Sequence, residues 1–312
     1  MSAPARRVWV ALGIIYFVWG STYFAIKIAV ETLPPLLTAG SRFLTAGLIL
    51  TALLTWRGRS FRVTRRELLS SAVVGLLLLT LGVGVVHVAE TRIDSSVAAM
   101  IAGTVPLQVI LFRLAAGEQP LLATRLSTLA GLVGLVLVVA PGLGAGSTAV
   151  GLLVMVAASV AWSTGSFLSP RLTLPRDPFV ASAYEMLAGG AFLVTAALAF
   201  GELRDLGGGA LAADSLAAWA YLVVAGSVVG FTAYAWLLRV APISLVVTHQ
   251  YVNPLVAIAL GMLFLDERPS PYTLAGAGLV VGAVYVAVRS ESSPLQRAAR
   301  PVTRKTAADQ PA

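Results

Sequence analysis

Cysteine is absent from this chain. That excludes disulfides, thiol nucleophiles and thiolate-held metals, and leaves the redox compartment undetermined. Histidine occurs only at His87 and His249, and charged residues make up 12% of the chain, against about 25% in soluble domains. No Gly-x-x-x-x-Gly-Lys-Ser/Thr run is present, so direct use of ATP is not expected. No other cofactor and no metal site is expected either. Acidic residues are fewer than basic ones, giving a net charge of +8. Nucleic acid is nevertheless not the expected partner, because the basic residues sit in short connections between apolar segments, where they orient helices in a membrane.

What remains is apolar. Residues of that class form 58% of the chain and mean hydropathy is +0.87, a balance with too little polar surface for a soluble domain. Segments near Val8–Val30, Pro35–Trp56, Leu68–Ala89, Ser95–Ala116, Leu126–Leu143, Ala149–Leu168, Phe179–Phe200, Leu216–Leu238, Ile243–Leu265 and Tyr272–Val288 approach the ~20 helical residues that cross a hydrocarbon core. The first follows Arg6 and Arg7 but is too long for a secretory signal and lacks a small-residue cleavage site. If the N-terminus is cytoplasmic, the inner connections collect nearly all the arginines, including Arg57, Arg59, Arg62, Arg65 and Arg66. The outer ones hold only Arg92, Arg204 and Arg268. This asymmetry predicts ten spans with both ends inside.

The two halves are weak copies of each other. Val105-Pro106-Leu107 recurs as Asn253-Pro254-Leu255, Thr128-Leu129-Ala130-Gly131 as Thr273-Leu274-Ala275-Gly276, and Trp19 as Trp162. The offsets agree within a few residues, at roughly 143 to 148, as one duplication requires. Five spans per copy is an odd number, so the second copy enters the membrane the other way up. The expected fold is an all-α integral membrane protein with ten transmembrane helices, as two inverted five-helix repeats around a central cavity. The domains are a cytoplasmic N-terminus (1–7), a first repeat (8–144), a second repeat (149–289) and a disordered basic cytoplasmic tail (290–312). Repeated apolar helices interrupted at matching prolines point to a transporter's binding site.

Candidate cavity residues follow from polarity within the spans. Pro106 and Pro254 each leave a helical carbonyl without its donor midway along a segment, in the usual effect of an interior proline. The ninth segment carries His249, Gln250, Tyr251 and Asn253, with His249 and Asn253 on one face. Arg42 and Glu185 occupy the same place in the two copies. Charges deep in a span avoid lipid, so the two are expected to pair or to flank one aqueous cavity. Trp19, with Thr22 and Tyr23 behind it, and Trp162 are candidates for its walls, as is Gln108 in the fourth span. Lys27, His87 and Glu90, near outer ends, are candidates for a gate or a proton relay. Lys27 reaching to the interface, and an interhelical bond holding His249, are the plainer alternatives.

The string THQYVNPLVAIALGMLFLDERPSPYTLAGAGLVVGAVYV resembles the C-terminal half of the EamA-type family of the drug/metabolite transporter superfamily. The resemblance rests on Tyr251-Val252-Asn253-Pro254, the acidic pair Asp266-Glu267 and the Gly276/Gly282 spacing of the last helix. VWGSTYFAIKIA, SRFLTAG and VAETRIDSSVAAMIAGTVPL are similar to the family's N-terminal repeat, while Gln108 and Arg113 depart from its usually apolar fourth span. The resemblance implies a ten-helix inner-membrane carrier, often an exporter of amino acids or other small metabolites. Together these readings predict a secondary transporter that works by alternating access, with a small-molecule solute and the lipid bilayer as partners. A flippase for a lipid-linked metabolite is the alternative, and the oligomeric state stays open. Remoter readings are a non-transporting sensor and an intramembrane enzyme. For the latter Ser227 and His249 stand on different helices, but no Gly-x-Ser-Gly run accompanies the serine.

Overall fold

The computed structural model describes residues 5–93, 95–139, 148–207, 212–264 and 270–299, and among these every regular element is helical. In chain order the helices are α1 (Ala5–Ala29), α2 (Pro35–Trp56), α3 (Arg65–Glu90), α4 (Ser95–Ala102), α5 (Val105–Ala115) and α6 (Leu122–Val139). The second half supplies α7 (Ala149–Leu168), α8 (Pro178–Phe200), α9 (Ala213–Val240), α10 (Ile243–Val246), α11 (His249–Phe264) and α12 (Pro271–Ala299). Six of them, α1, α2, α3, α7, α8 and α9, are long and apolar enough to cross a membrane. Shorter apolar helices include α5 and stretches of α6 and α12.

Burial is arranged for lipid. Phe17, Phe24, Leu48, Leu153 and Phe192 are exposed, whereas Arg42, His87, Glu90, Glu185, His249 and Asn253 are buried. A helix satisfies its own backbone, so its outer face can be wholly apolar in a bilayer, and ionisable side chains turn inward.

Glycines set the closest helix contacts. A Cβ at Gly40 would stand 2.9 Å from the Val194 nitrogen, one at Gly190 2.7 Å from the Leu44 nitrogen, and one at Gly47 3.2 Å from the Leu187 nitrogen. Partner numbers fall along α8 as they rise along α2, so the two run antiparallel with their backbones in near contact, as small residues permit in membranes. α6 and α12 meet similarly, Gly134 lying against the Gly276 carbonyl and the Val280 nitrogen, each 2.9 Å from a Cβ placed there.

Helix ends are closed by side chains. Thr64 and Glu67 form a reciprocal capping box at α3. The Glu202 carboxylate accepts from the Leu36 and Leu37 N–H groups at 3.2 and 2.8 Å, satisfying donors that the first turn of α2 leaves free. Gly201 ends α8 at φ 80°, a left-handed conformation that glycine adopts without a Cβ clash.

Several expectations change in detail. The fourth segment is two helices, parted at Gly103–Thr104. Pro106 therefore stands in the first turn of α5, where its missing N–H costs little, and does not kink a helix midway. The ninth segment parts at Val247–Thr248, while Pro254 remains inside α11. The centres of α3 and α9, Gly75–Gly84 and Leu222–Phe231, are π-helical over 10 residues each, which apolar periodicity does not register. α12 continues to Ala299, so the segment expected to begin a disordered tail at Ser290 is helical over that stretch. Gly142, Gly144, Asp266, Glu267 and residues 300–312 lie outside the described residues.

Candidate functional site

The two π-helical segments are where the halves exchange side chains. Gly230 of α9 lies against Trp19 of α1, and Gly82 of α3 lies against Trp162 of α7. A Cβ at these glycines would meet the indoles at 2.5 and 3.2 Å. In each case the carbonyl five residues earlier, Ala225 and Leu77, stands 3.2 and 3.1 Å from the same point, as expected of a widened turn. A widened turn without a side chain leaves a slot, and an indole fills it. Trp19 is further fixed by its Nε1–H, which donates to the Gly226 carbonyl at 3.0 Å.

The indoles meet edge to face, with centroids 5.4 Å apart at 76°. Tyr234 of α9 is 5.0 Å from Trp19 and 5.1 Å from Trp162, and its hydroxyl shares a 2.5 Å bond with Ser166. His249, at the start of α11, stands 5.0 Å from Trp19 and 5.4 Å from Tyr234. Edge and tilted geometries bring the positive ring edges over negative faces, each pair contributing about 0.5–1.5 kcal/mol beyond area burial.

Beside this cluster is a cavity of about 70 Å³, walled by α1, α2, α3, α5, α7, α9 and α11 with the C-terminal end of α4. A water needs roughly 10–15 Å³ of such space, so several fit. Its polar atoms are unusual. Arg42, His249, Gln250 and Asn253 are among the residues lining it, and among the described residues Arg42 Nη1, His249 Nε2, Gln250 Oε1 and Asn253 Oδ1 are buried without a hydrogen-bond partner. Protein interiors rarely tolerate orphaned polar groups, and four on residues lining one space make it the candidate site for a polar ligand. The tautomer of His249 is set from behind. Its Nδ1 is 2.9 Å from the Val246 carbonyl, which can only accept, so Nδ1 carries a hydrogen and, in the neutral ring, Nε2 is the nitrogen left with a lone pair.

Of the residues expected to line the cavity, the structure brings Trp19, Thr22, Tyr23, Arg42, Trp162, His249, Gln250 and Asn253 together around it. Others fall elsewhere. Gln108 is consumed by bonds to Thr104, Ser159 and Ser163 at 2.8, 3.0 and 2.8 Å, clamping α5 to α7. Tyr251 packs on Gly131, and its hydroxyl donates to the Thr128 carbonyl at 2.9 Å. Pro106 and Pro254 are buried beside the wall but are not among the lining residues.

Arg42 and Glu185 do not pair. Arg42 Nε–H donates to Ser227 Oγ at 2.8 Å, and Glu185 is buried where its backbone meets Gly75 of α3. The reason is the antiparallel contact of α2 and α8. With Gly47 beside Leu187, Glu185 is level with the turn after Gly47, about 10 Å along the axis from Arg42 at 1.5 Å per residue. Equal positions in two antiparallel helices lie on opposite sides of their crossing.

The gate candidates are also separate. Lys27 donates from Nζ to the Glu90 carbonyl at 2.8 Å, holding the end of α3 to α1. His87 bonds back to the Val83 carbonyl at 2.8 Å. Among the described residues the Glu90 carboxylate oxygens and His87 Nε2 are buried without partners, and neither residue is among those lining the main cavity.

Sequence reasoning passed over Gly82, Gly226 and Ser227 as parts of this site. A signal was available for one pair: Gly82 and Gly230 are separated by the same interval as Pro106 and Pro254. At another place Glu118, just beyond α5, accepts from Arg113 Nε at 2.8 Å and also pairs with Arg171, while Arg113 bonds Ser244 of α10. Arg171 in turn lies over the Phe167 ring at 3.6 Å. This cluster ties the first half to two elements of the second, and the bond from Arg113 holds the Glu118 carboxyl below the ordinary carboxylate range.

The family model of EamA-like transporters matches residues 7–140 and 149–289, once in each half. The inner membrane transporter YedA of Escherichia coli K12 is 37% identical over 281 residues, covering 88% of this chain and 89% of the relative. Protein PecM of Dickeya dadantii is 26% identical over 279 residues, covering 86% of this chain and 88% of that protein. A solved crystal structure superimposes with a TM-score of 0.73 over 96% of this chain and all of the other, at 20% identity, a likeness of fold alone. An apolar exterior, membrane-length helices and a polar internal cavity accord with these matches, and the chain belongs to the EamA-like transporter family: it is a membrane transporter, not an enzyme.

Proposed function

We propose that the protein is a secondary carrier that exports a small organic solute, an amino acid or related metabolite, across the inner membrane by alternating access. In this reading α4 with α5 and α10 with α11 each make one broken span. The chain then has ten spans in two inverted halves, with both ends cytoplasmic. The observation that carries the reading is the reciprocal contact of Trp19 with Gly230 and Trp162 with Gly82. Each half lends its indole to the other half's widened helix, directly beside the cavity. Rocking of one half on the other would slide both indoles in their glycine slots and expose the cavity first to one side and then to the other.

The antiparallel contacts of α2 with α8 and of α6 with α12 support the inverted arrangement, because each joins corresponding spans of the two halves. Alternating access also needs contacts that can open. The Glu118 cluster, formed by exposed or half-buried charges, is suited to that, since pairs of this kind are worth only about 0–1 kcal/mol each.

The reading is tested by reconstituting the purified chain into vesicles and offering a panel of labelled amino acids, their analogues and other small metabolites. The expected result is protein-dependent movement of at least one solute, reduced by His249→Ala and by Trp19→Ala. Vesicles no more permeable than empty ones to every solute offered would count against the carrier.

A further inference from the structure

Arg42 is a permanent cation enclosed in the fold. It is 3% exposed, and among the described residues no carboxylate lies within ion-pair distance of it. Ser227 holds Nε at 2.8 Å. Nη2 lies against Gly226, where a Cβ would stand 2.7 Å from it. The guanidinium also lies over the Phe43 ring at 4.9 Å, while Nη1 is buried and unbonded among the described residues and Arg42 is among the residues lining the cavity. A buried charge without a counter-charge is costly, and a guanidinium matches carboxylate oxygens in geometry and charge. Resting on the carrier reading above, we infer that Arg42 receives the carboxylate of the transported solute, and that the cavity selects small organic solutes with a single carboxylate and a flat apolar body.

Other features narrow the class. Among the described residues lining the cavity, Arg42 is the only Lys or Arg and no Asp or Glu occurs. One cation neutralises one negative charge, which favours a carboxylate over a phosphate dianion, and a solute that is only cationic finds no partner. Gln250 Oε1 and Asn253 Oδ1 are acceptors for an amine or hydroxyl elsewhere on the solute. The Trp19 and Trp162 indoles, both lining residues, add apolar surface for an aromatic ring.

The test compares three probes of one shape on the purified full chain: phenylacetate, its uncharged isostere phenylacetamide, and the cation phenethylamine. Binding is read by intrinsic tryptophan fluorescence and by thermal shift. The wild-type protein is expected to bind phenylacetate at least tenfold more tightly than either other probe. Arg42→Gln should abolish that preference while leaving phenylacetamide binding within about twofold, and Arg42→Lys should restore part of it. The wild-type comparison stands whether or not the variants fold. Equal affinities for the acid and its amide, preference for the amine, or no binding of phenylacetate to the wild type would overturn the inference. The two readings fail separately. Vesicles that move the amide or amine but not the acid keep the carrier and remove the anion site. Phenylacetate bound through Arg42 by a chain that moves no solute does the reverse.

Discussion

At the residue scale, the account turns on which glycines are occupied by a neighbour. Gly226 and Gly13 make the comparison. A Cβ at Gly226 would stand 2.7 Å from Arg42 Nη2, while one at Gly13 meets nothing within 4 Å. Gly226→Ala is therefore expected to displace the guanidinium, the far end of a flexible side chain, and so to lower transport while changing stability by less than about 1 kcal/mol. Gly13→Ala should leave transport unchanged and stability equal or higher by about 0.5–1 kcal/mol, the helical advantage of alanine. Melting in detergent and vesicle uptake measure both. Residue identity alone pointed to Trp19, Arg42, Trp162, His249, Gln250 and Asn253, because polar or ionisable groups inside apolar spans are few and expensive. It did not distinguish Gln108 or Tyr251 from them. Whether a polar side chain faces a cavity or a neighbouring helix depends on helix rotation, which short polar runs in nearly all-apolar segments leave undefined.

At the element scale, the longest helices were legible from apolar length, and their internal geometry was not. A π-helical centre has the composition of any apolar helix, and Gly82 or Gly230 reads equally as a helix-contact glycine. Likewise a proline in an apolar run predicts a kink, yet for Pro106 the break came earlier, at Gly103–Thr104, and the proline starts the next helix. Two predictions belong here. Gly190→Leu should separate α8 from α2, since a Cβ would already stand 2.7 Å from the Leu44 nitrogen. The expected loss is about 1–3 kcal/mol, read as a lower melting temperature. The second concerns the Glu118 cluster. The folded carboxyl titrates below its ordinary range because Arg113 bonds it, so its contribution is present above the unfolded value and is lost as pH falls through the folded one. Stability should therefore decline as pH drops below about 4.3, and Glu118→Gln should remove that part of the decline. A pH profile of melting identical in wild type and variant would show that the bond contributes nothing.

At the scale of the whole molecule, the duplication was readable because matching strings recur at nearly constant offset, and the family match falls once on each half. What no string contained was how the halves touch. The exchange of Trp19 and Trp162 across the middle, and the displacement of Arg42 from Glu185, follow from an antiparallel arrangement in three dimensions. That arrangement is the central claim, and the absence of native cysteine makes it directly testable. Single cysteines placed at Arg6 and at Arg289 can be labelled in intact cells and in inverted vesicles with a membrane-impermeant maleimide. Two inverted five-span halves predict that both positions are protected in cells and labelled in inverted vesicles. Labelling of the two positions from opposite faces would contradict it.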